Sequence, residues 1–296
     1  MTARVVVNRI WQTFFGVGLV KTAEDFGAQG EKPSHPELLD WLAVEFVESG
    51  WDVKHIQRLI VTSATYRQSS KVTAAVVEND PENRFYARGP RYRWPSWMLR
   101  DQALAVSGLL QESVGGPPVK GYQPDGIWEE ATFGKITYQQ DHGTALHRRS
   151  LYQFWRRIVG PTVLFDVSAR QYCTVKLART NTPLHALTML NDVTFVEAAR
   201  VFAERILRDG GTTDADRLAF AFRLCTSRAP TSSEQQVLLR RLSQLRELYT
   251  ADTAAADQLL KVGEAAVDAN LPRAELAAWT SIGSLLLNLD ETLSKE

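Results

Sequence analysis

Residues 182–206, which read TPLHALTMLNDVTFVEAARVFAERI, decide the fold class. Thr182 followed by Pro183 is typical of a helix start, because a hydroxyl caps the first turn and proline suits the first helical position. Asn191-Asp192 interrupts the pattern, and we expect it to kink or split the helix. Apolar residues recur along the stretch at helical spacing: Leu184, Leu187, Leu190, Phe195, Ala198, Val201, Phe202 and Ile206.

The first third of the chain carries the same helical pattern. Ser34-His35-Pro36-Glu37 reads as a capping box with proline near the first helical position. Asp52 caps a second helix, so that the pair forms a helical hairpin, and a further helix is expected over 96–110. The helix after Ser34 should bury one face: Leu38, Leu39, Trp41, Leu42 and Phe46.

The last third is helical again. Ser232-Ser233-Glu234-Gln235 is a second capping signal. The alanine-rich stretch 253–269 has helix propensity but a weak apolar face, which suggests a mobile outer helix. Residues 276–289 are apolar enough to form a largely buried closing helix.

The centre of the chain lacks helical periodicity. Residues 117–181 hold scattered glycine, proline and aromatic residues, and 150–155 have strand-like composition. Residues 69–95 are polar and punctuated by proline, which favours irregular structure. We therefore predict one mainly α-helical domain over 1–296. It has helical lobes at 1–116 and 182–296 and an irregular centre at 117–181 that contains a few short β-strands.

Composition excludes several classes of protein. A hydrophobic fraction of 44% with 23% charged residues excludes disorder, and no apolar run is long enough to span a membrane. The 34 basic and 34 acidic side chains cancel, so nothing in the overall charge points to nucleic acid. Two cysteines, Cys173 and Cys225, cannot build a disulfide framework or a four-thiolate metal site, and their pairing stays open. Nucleotide-binding, zinc-protease, serine-hydrolase and haem-attachment motifs are absent, so we predict no metal and no cofactor.

Positive charge is concentrated in the centre. Residues 84–179 carry 14 basic and 7 acidic side chains, a net charge of +7. Two interpretations stay open: the centre docks against the more acidic helical lobes, or it presents an anion-binding face. Arginines interleaved with aromatic residues between Arg84 and Trp97 fit ligand stacking or an ordinary core edge.

One polar cluster lies in the second half of this basic segment. Asp141, His142 and His147 lie next to Arg148 and Arg149, a combination that suits acid/base chemistry, metal ligation or an anion clamp. The spacing of the two histidines matches no standard zinc motif. A polar loop held by its own capping interactions is the simpler alternative.

Two smaller groups are candidates as well. Asp25 and His35 flank a glycine-containing loop and either line a cleft or belong to a turn. Arg170, Arg179 and Asn181 precede the helix at Pro183, whose free amides favour an anion, although Asn181 also suits a simple cap.

Several motifs, taken together, resemble one family, the planctomycete-specific domain of unknown function 1553. The resemblance covers essentially the whole chain in the same order. Only His185 and Met189 depart from it, where glutamine and leucine are expected. The motifs that carry the resemblance are Asn8-Arg9-Ile10-Trp11, Asp25-Phe26-Gly27, Pro33-Ser34-His35-Pro36-Glu37-Leu38-Leu39-Asp40-Trp41-Leu42, Tyr66-Arg67-Gln68-Ser69-Ser70, Arg148-Arg149-Ser150-Leu151-Tyr152, Arg179-Thr180-Asn181-Thr182-Pro183-Leu184 and Leu289-Asp290-Glu291.

The resemblance implies a place in a larger protein. Family members commonly end large exported proteins that carry a cytochrome-c-like module, so a periplasmic or other extracytoplasmic location is implied. Such proteins extend further at the N-terminus, and an apolar helical face starts already at Val5; we therefore expect an N-terminally truncated fragment. No catalytic residues are established for the family, so none is carried over.

Three functions follow as hypotheses, and enzymatic activity stays open among them. The first is a non-haem module that binds an anionic polysaccharide or partner through Arg148, Arg149, Arg170, Arg179 and Asn181. The second is a polysaccharide hydrolase that uses Asp141, His142 and His147, with Asp25 or His35 in support. The third is a docking scaffold for the haem-containing domain of the parent protein.

Overall fold

The computed structural model describes residues 1–167, 173–175 and 179–295, and over these residues the chain is mainly α-helical. This confirms the predicted fold class. The helices are α1 (Thr2–Phe15), α2 (Pro36–Glu48), α3 (Val53–Thr62), α4 (Ala74–Asn79), α5 (Ser96–Ser107), α6 (Ile127–Thr132), α7 (Pro183–Asn191), α8 (Val193–Asp209), α9 (Asp214–Thr226), α10 (Ser232–Ala251), α11 (Thr253–Leu260), α12 (Arg273–Leu287) and α13 (Asp290–Leu293).

Extended structure is sparse. Strands β1 (Tyr92–Arg93) and β2 (Ser294–Lys295) pair antiparallel, with Tyr92 opposite Lys295. The described part of the centre contains two 3-10 helices, Gly143–His147 and Ser150–Tyr152, and single bridges such as Val119 with Gln153. The strand-like stretch 150–155 therefore forms a short helix and one bridge, because an isolated segment without neighbouring strands cannot satisfy a ladder.

The chain divides into two compact units. The first consists of Met1–Arg93, Cys173–Ala178 and Ser294–Glu296, and the second of Trp94–Tyr172 and Arg179–Leu293. Cys173 is exposed and Cys225 is buried, and both are free thiols. Among the described residues, no helix has the length and apolar character that crossing a membrane requires.

The first unit has a core formed by α1, α2 and α3. Trp11, Phe15 and Tyr86 lie in contact there, and the Trp11 Nε1–H donates to the Tyr86 hydroxyl over 2.9 Å. Asn8, which is fully buried, bonds through its side chain to both the amide and the carbonyl of Val20. The predicted cap at Asp52 is confirmed, since its carboxylate accepts from the His55 amide over 3.1 Å.

Three details of the first unit differ from expectation. The N-cap of α2 is His35 and not Ser34, whose hydroxyl donates instead to the Leu19 carbonyl. Trp41, expected in the core, is 52% exposed because α2 turns Leu39, Leu42 and Phe46 inward. The stretch 69–95 is not wholly irregular, because it contains α4 and β1.

The second unit is organised around α8. Helix α12 packs along it, with α5, α9, α10 and α11 around the pair. At Gly283 a Cβ would come within 3.1 Å of the Ala199 carbonyl oxygen, so the small residue permits a close crossing of α12 and α8. Phe202, Ile206 and Trp279 are fully buried at this crossing.

The split between α7 and α8 is confirmed, but the buried face of α7 was predicted wrongly. Asp192 caps α8 by accepting from the Thr194 amide over 2.9 Å. His185 and Met189 are the buried residues of α7, and the His185 ring stacks on Phe165 at 4.2 Å. The three leucines expected in the core are 70%, 56% and 44% exposed: Leu184, Leu187 and Leu190.

Helices α10 and α12 follow the prediction with shifted ends, whereas the prediction of a mobile outer helix over 253–269 is wrong. The capping box of α10 uses Thr231 with Glu234, one position before the predicted serine. Helix α11 ends at Leu260 and buries Ala256 and Leu260, so it is packed against the core rather than a mobile outer helix. The closing helix α12 is buried as predicted.

Truncating a buried ring on α8 tests the role of this helix. Phe202→Ala removes a fully buried aromatic side chain and should lower the free energy of unfolding by about 3–5 kcal/mol. Val237→Ala is the control, because Val237 on α10 is 61% exposed; its cost should stay below about 0.5 kcal/mol. Denaturant unfolding followed by circular dichroism measures both. Equal costs would contradict the assignment of the core to α8.

Candidate functional site

Buried arginines hold the irregular centre in place. Arg100 on α5 is 1% exposed and donates to the carbonyls of Leu146 over 2.7 Å and Arg148 over 2.8 Å. Burial lowers the pKa of Arg100 to about 10, so the guanidinium is still protonated at neutral pH. The neighbouring Asp101 accepts from the Ser150 amide over 2.7 Å. Adjacent side chains of α5 thus satisfy backbone carbonyls and a backbone amide of the same segment.

Arg148, predicted to bind a ligand, is engaged by the protein itself. Its guanidinium donates to the carbonyls of Ser113, Gly115 and Pro117 and lies 3.8 Å from the centre of the Tyr152 ring. The residue is only 9% exposed. It therefore closes the turn at 113–117 and leaves little of its charge for a ligand.

A second set of hydrogen bonds from buried charged side chains joins helix α8 to the segment 263–266. The fully buried Glu197 accepts through Oε1 from the amides of Glu264 over 2.7 Å and Ala265 over 2.6 Å. Arg200, one turn further along α8, donates to the carbonyls of Ala265 over 2.6 Å and Ala266 over 3.4 Å. An acid and a base three residues apart on one helix face thus bind both polar groups of one irregular segment. We call Glu197, Arg200 and residues 263–266 the clasp.

Gly263 has the backbone that the clasp needs. Its φ is +87°, and a Cβ there would lie 2.5 Å from the Glu197 side chain. Both the left-handed backbone and the close approach of the carboxylate exclude larger residues.

The other oxygen of Glu197 collects two side chains from the centre. His147 Nε2 lies 3.0 Å from Glu197 Oε2, and the Tyr122 hydroxyl donates to the same oxygen over 3.2 Å. Burial alone would raise the pKa of Glu197, but the hydrogen bonds from His147 and the Ala265 amide outweigh it and hold the pKa below its usual value. Burial and the Glu197 charge raise the pKa of Tyr122.

The clasp continues outward to an exposed histidine. Glu264 accepts from the amide of Gly143 over 2.9 Å, and His142 Nδ1 lies 2.7 Å from Glu264 Oε1. The Gly143 amide and His142 hold the pKa of Glu264 below its usual value. The structure thus places His142 and His147, two of the three predicted catalytic residues, in one network that joins α8, the centre and 263–266.

Asp141, the third predicted catalytic residue, bonds elsewhere. Its carboxylate accepts from the Lys120 amide over 2.8 Å, and its own amide donates to the Lys120 carbonyl over 2.9 Å. Both carboxylate oxygens of Glu197, by contrast, accept hydrogen bonds from other parts of the protein. The Glu197 carboxylate is therefore suited to a structural role. Across the described residues, no group of three or more histidine, cysteine or acidic side chains could hold a metal.

The predicted anion ligands have different positions. Arg149 is exposed, with its Nε 3.6 Å from Asp101 Oδ2. Arg179 and Asn181 are exposed ahead of α7. Arg170 falls outside the described residues, so its role stays a prediction.

Asp25 and His35 belong to the first unit. Asp25 Oδ1 accepts from the Gly27 amide over 2.7 Å, which makes a local turn. His35 Nδ1 lies 3.0 Å from the Ser34 hydroxyl, and its ring is 5.3 Å from that of Tyr86. These contacts fit the turn that the sequence left as the alternative for this loop.

An exposed aromatic ring lies at the end of α6. Phe133 is 92% exposed and has a φ of +53°, in a position that glycine usually takes. Helix α6 packs through Trp128, whose ring is 5.8 Å from that of Phe154. Arg156 and Arg157 follow Phe154 in a tight turn closed by a bridge from Arg156 to Val159, and both are exposed. All three residues belong to the second unit, and we call Phe133, Arg156 and Arg157 together the Phe133 surface.

Sequence reasoning missed both the clasp and this surface. The signal for the clasp was a charged pair, Glu197 and Arg200, inside an otherwise apolar buried helix, since such charges are buried only when paired. Tyr122 and Glu264 carried no signal, because they reach the site from distant, irregular parts of the chain. The consecutive arginines at 156–157 were visible only as part of the basic excess.

The chain is thus a mainly helical protein whose irregular centre is fastened by buried charges. Over residues 1–242 it matches the model of the family described as PSD1, protein of unknown function (DUF1553). It belongs to this family, as its motifs indicated. No curated protein and no solved structure matches the chain.

Replacing Gly263 tests the close approach in the clasp. Gly263→Ala introduces a Cβ against Glu197, whereas Gly108→Ala, at a nearly identical φ of +89°, meets nothing within 4 Å. The control should lose about 1–2 kcal/mol for the left-handed backbone alone. Gly263→Ala should lose clearly more in denaturant unfolding. Equal losses would contradict the tight fit of Gly263 against Glu197.

The charge of Glu197 should make stability depend on pH. The folded-state pKa lies below the unfolded one, so the stabilisation is complete above about pH 4.5 and is lost as pH falls through the lowered value. Glu197→Gln should cost about 3–5 kcal/mol at pH 7, because His147 and the buried amides lose their charged partner. The difference from the wild type should shrink toward pH 3. A cost that is independent of pH would contradict a charged Glu197.

Proposed function

We propose that the second unit is a binding module for an anionic polysaccharide and that the ligand contacts the Phe133 surface. One observation carries the proposal: Phe133 is almost wholly solvent-exposed on an unfavourable backbone, and the same unit exposes two consecutive arginines, Arg156 and Arg157, in one tight turn. The proposal keeps the ligand of the first hypothesis and assigns its binding to Phe133, Arg156 and Arg157, because Arg148 is already bonded to backbone carbonyls.

The conformation of Phe133 supports a ligand-binding role. A non-glycine residue at positive φ costs about 1–3 kcal/mol, and such residues concentrate at functional sites. An exposed ring also has no packing energy to offset that cost. A flat apolar face in solvent suits the apolar face of a sugar ring, because contact removes both from water.

The two arginines supply the charge recognition. Guanidinium groups bind sulfate and carboxylate with paired hydrogen bonds. Arg156 and Arg157 extend from one tight turn, and Ile158 in the same turn is 54% exposed. A polymer with an acidic group on each repeat would engage both arginines and the aromatic ring together, which strengthens weak single contacts.

The buried arginines favour this choice of surface. Arg100, Arg148 and Arg200 donate to backbone carbonyls, so their charge belongs to the fold. The positive charge that is available to a ligand is therefore carried by exposed side chains. A polysaccharide ligand fits best with export of the parent protein, and a periplasmic location is part of the proposal.

The hydrolase and haem-docking hypotheses stay predictions. For the hydrolase, His147 and Asp141 would have to act at one bond, yet His147 is bound to Glu197 and Asp141 to Lys120. No contact described above favours a haem-containing partner. We therefore prefer binding to catalysis as the function.

Binding to dextran sulfate tests the proposal, with neutral dextran as the reference ligand. The double variant Arg156→Ala/Arg157→Ala should weaken binding about tenfold or more, because two charged contacts are lost. Arg240→Ala/Arg241→Ala removes the same charge from the exposed face of α10 and is the matched control. Affinity should fall with salt, as it does for exposed charges. Equal losses in the two double variants would reduce the effect to general electrostatics and overturn the proposal.

The aromatic ring is tested separately. Phe133→Ala should weaken dextran sulfate binding severalfold without lowering the free energy of unfolding, since the ring is exposed. Phe85→Ala is the control, because Phe85 is 71% exposed in the first unit. If Phe133→Ala binds as the wild type does, the ring has no part in recognition.

A further inference from the structure

The second unit contains an open cavity of about 580 Å³ at one end of its helices, away from the residues of the Phe133 surface in sequence and lined by none of them. It lies at the C-terminal ends of α8 and α10, the first turn of α9 and the start of α12. Its lining residues are Leu207, Arg217, Arg246, Thr250, Leu271, Pro272, Ala274 and Glu275.

Most of the lining is apolar. Leu207, Leu271 and Pro272, with the methyl group of Ala274, form an apolar surface large enough for a ring system or a short alkyl chain. Small-molecule sites are commonly apolar concavities with a few polar groups that fix the orientation of the ligand. The polar side chains of this cavity therefore determine which ligand fits.

Arg246 is a fixed part of the wall. It pairs through two hydrogen bonds with Asp214, at 2.5 and 2.8 Å, and through two more with Glu275, at 2.7 and 2.6 Å. These hydrogen bonds raise the pKa of Arg246. Its charge is thus neutralised within the protein, and four of its five N–H groups donate to these two carboxylates.

Arg217 differs from Arg246 because its end groups are unused. Its Nε donates to the Gly211 carbonyl over 3.1 Å, and a Cβ at Gly210 would lie 3.1 Å from its Cγ. The stem of the side chain is therefore held against two glycines. Among the described residues, neither Nη atom has a hydrogen-bond partner in the structure. A guanidinium held in this way loses little entropy when it binds a carboxylate.

The composition of the cavity selects the ligand. We infer that it binds a small amphipathic carboxylate, whose apolar body lies on Leu207, Leu271 and Pro272 and whose carboxylate accepts from Arg217. The Thr250 hydroxyl also lines the cavity and is a further donor. Helix α12 begins at the rim without a side-chain cap, so its amides also favour a negative group. The carboxylates of Asp214 and Glu275 disfavour ligands with several negative charges.

Titration calorimetry with 1-naphthoate tests this site, and the neutral 1-naphthylmethanol is the reference compound. The wild type should bind 1-naphthoate at least about tenfold more tightly than the alcohol, because the charged hydrogen bond is available only to the acid. Arg217→Ala should remove that preference and leave weak, equal binding. Arg223→Ala, an exposed arginine on the same helix, should bind as the wild type does.

A second variant separates loss of the site from loss of the fold. Ala274→Trp fills the cavity and keeps Arg217, so it should abolish binding of both compounds while the unfolding transition stays cooperative. The inference is overturned if the wild type binds neither compound, if both bind equally to the wild type, or if Arg217→Ala keeps the preference for the acid. Dextran sulfate binding should be unchanged in Arg217→Ala, which keeps this test independent of the Phe133 surface.

Discussion

The second unit depends on one constraint: irregular backbone that packs against helices must find hydrogen-bond partners outside regular secondary structure. In this protein, charged side chains on helices provide these hydrogen-bond partners. Arg100 on α5 donates to carbonyls of the centre, and Glu197 and Arg200 on α8 bind the amides and carbonyls of 263–266. Without hydrogen-bond partners, each of these buried charges would strongly destabilise the fold. Bonded to the backbone, the charged side chains supply the hydrogen bonds that a neighbouring strand would supply in a sheet.

This constraint also separates structural from functional charge. An anion-binding face was one of two interpretations of the basic excess in the centre, but Arg100 and Arg148 are buried and bonded to carbonyls. The exposed arginines at 156 and 157 are different, because the tight turn presents them to solvent. A positive segment in a sequence therefore contains two populations of arginine that only the fold distinguishes.

The sequence predicted the helices well and the site poorly, for physical reasons. Periodicity and capping residues are local, so α3, the break at Asp192 and α12 were foreseeable. The buried face of α7 was not foreseeable, because Leu184 and His185 are neighbours on a short helix. Tertiary packing determines that His185 is the one that is buried. His142 and His147 were recognised as a polar pair, yet their partners Glu264 and Glu197 lie far away in sequence and came together only through the fold.

The protection of two backbone amides tests the clasp most directly. The amides of Glu264 and Ala265 lie in an irregular surface segment, yet both donate to the buried Glu197. Hydrogen exchange at pH 7, resolved to single amides, should show both protected about as strongly as amides in the middle of α8, because they open only when the clasp opens. Exchange at the rate of an unprotected loop would contradict the conclusion that buried helix charges hold the irregular backbone.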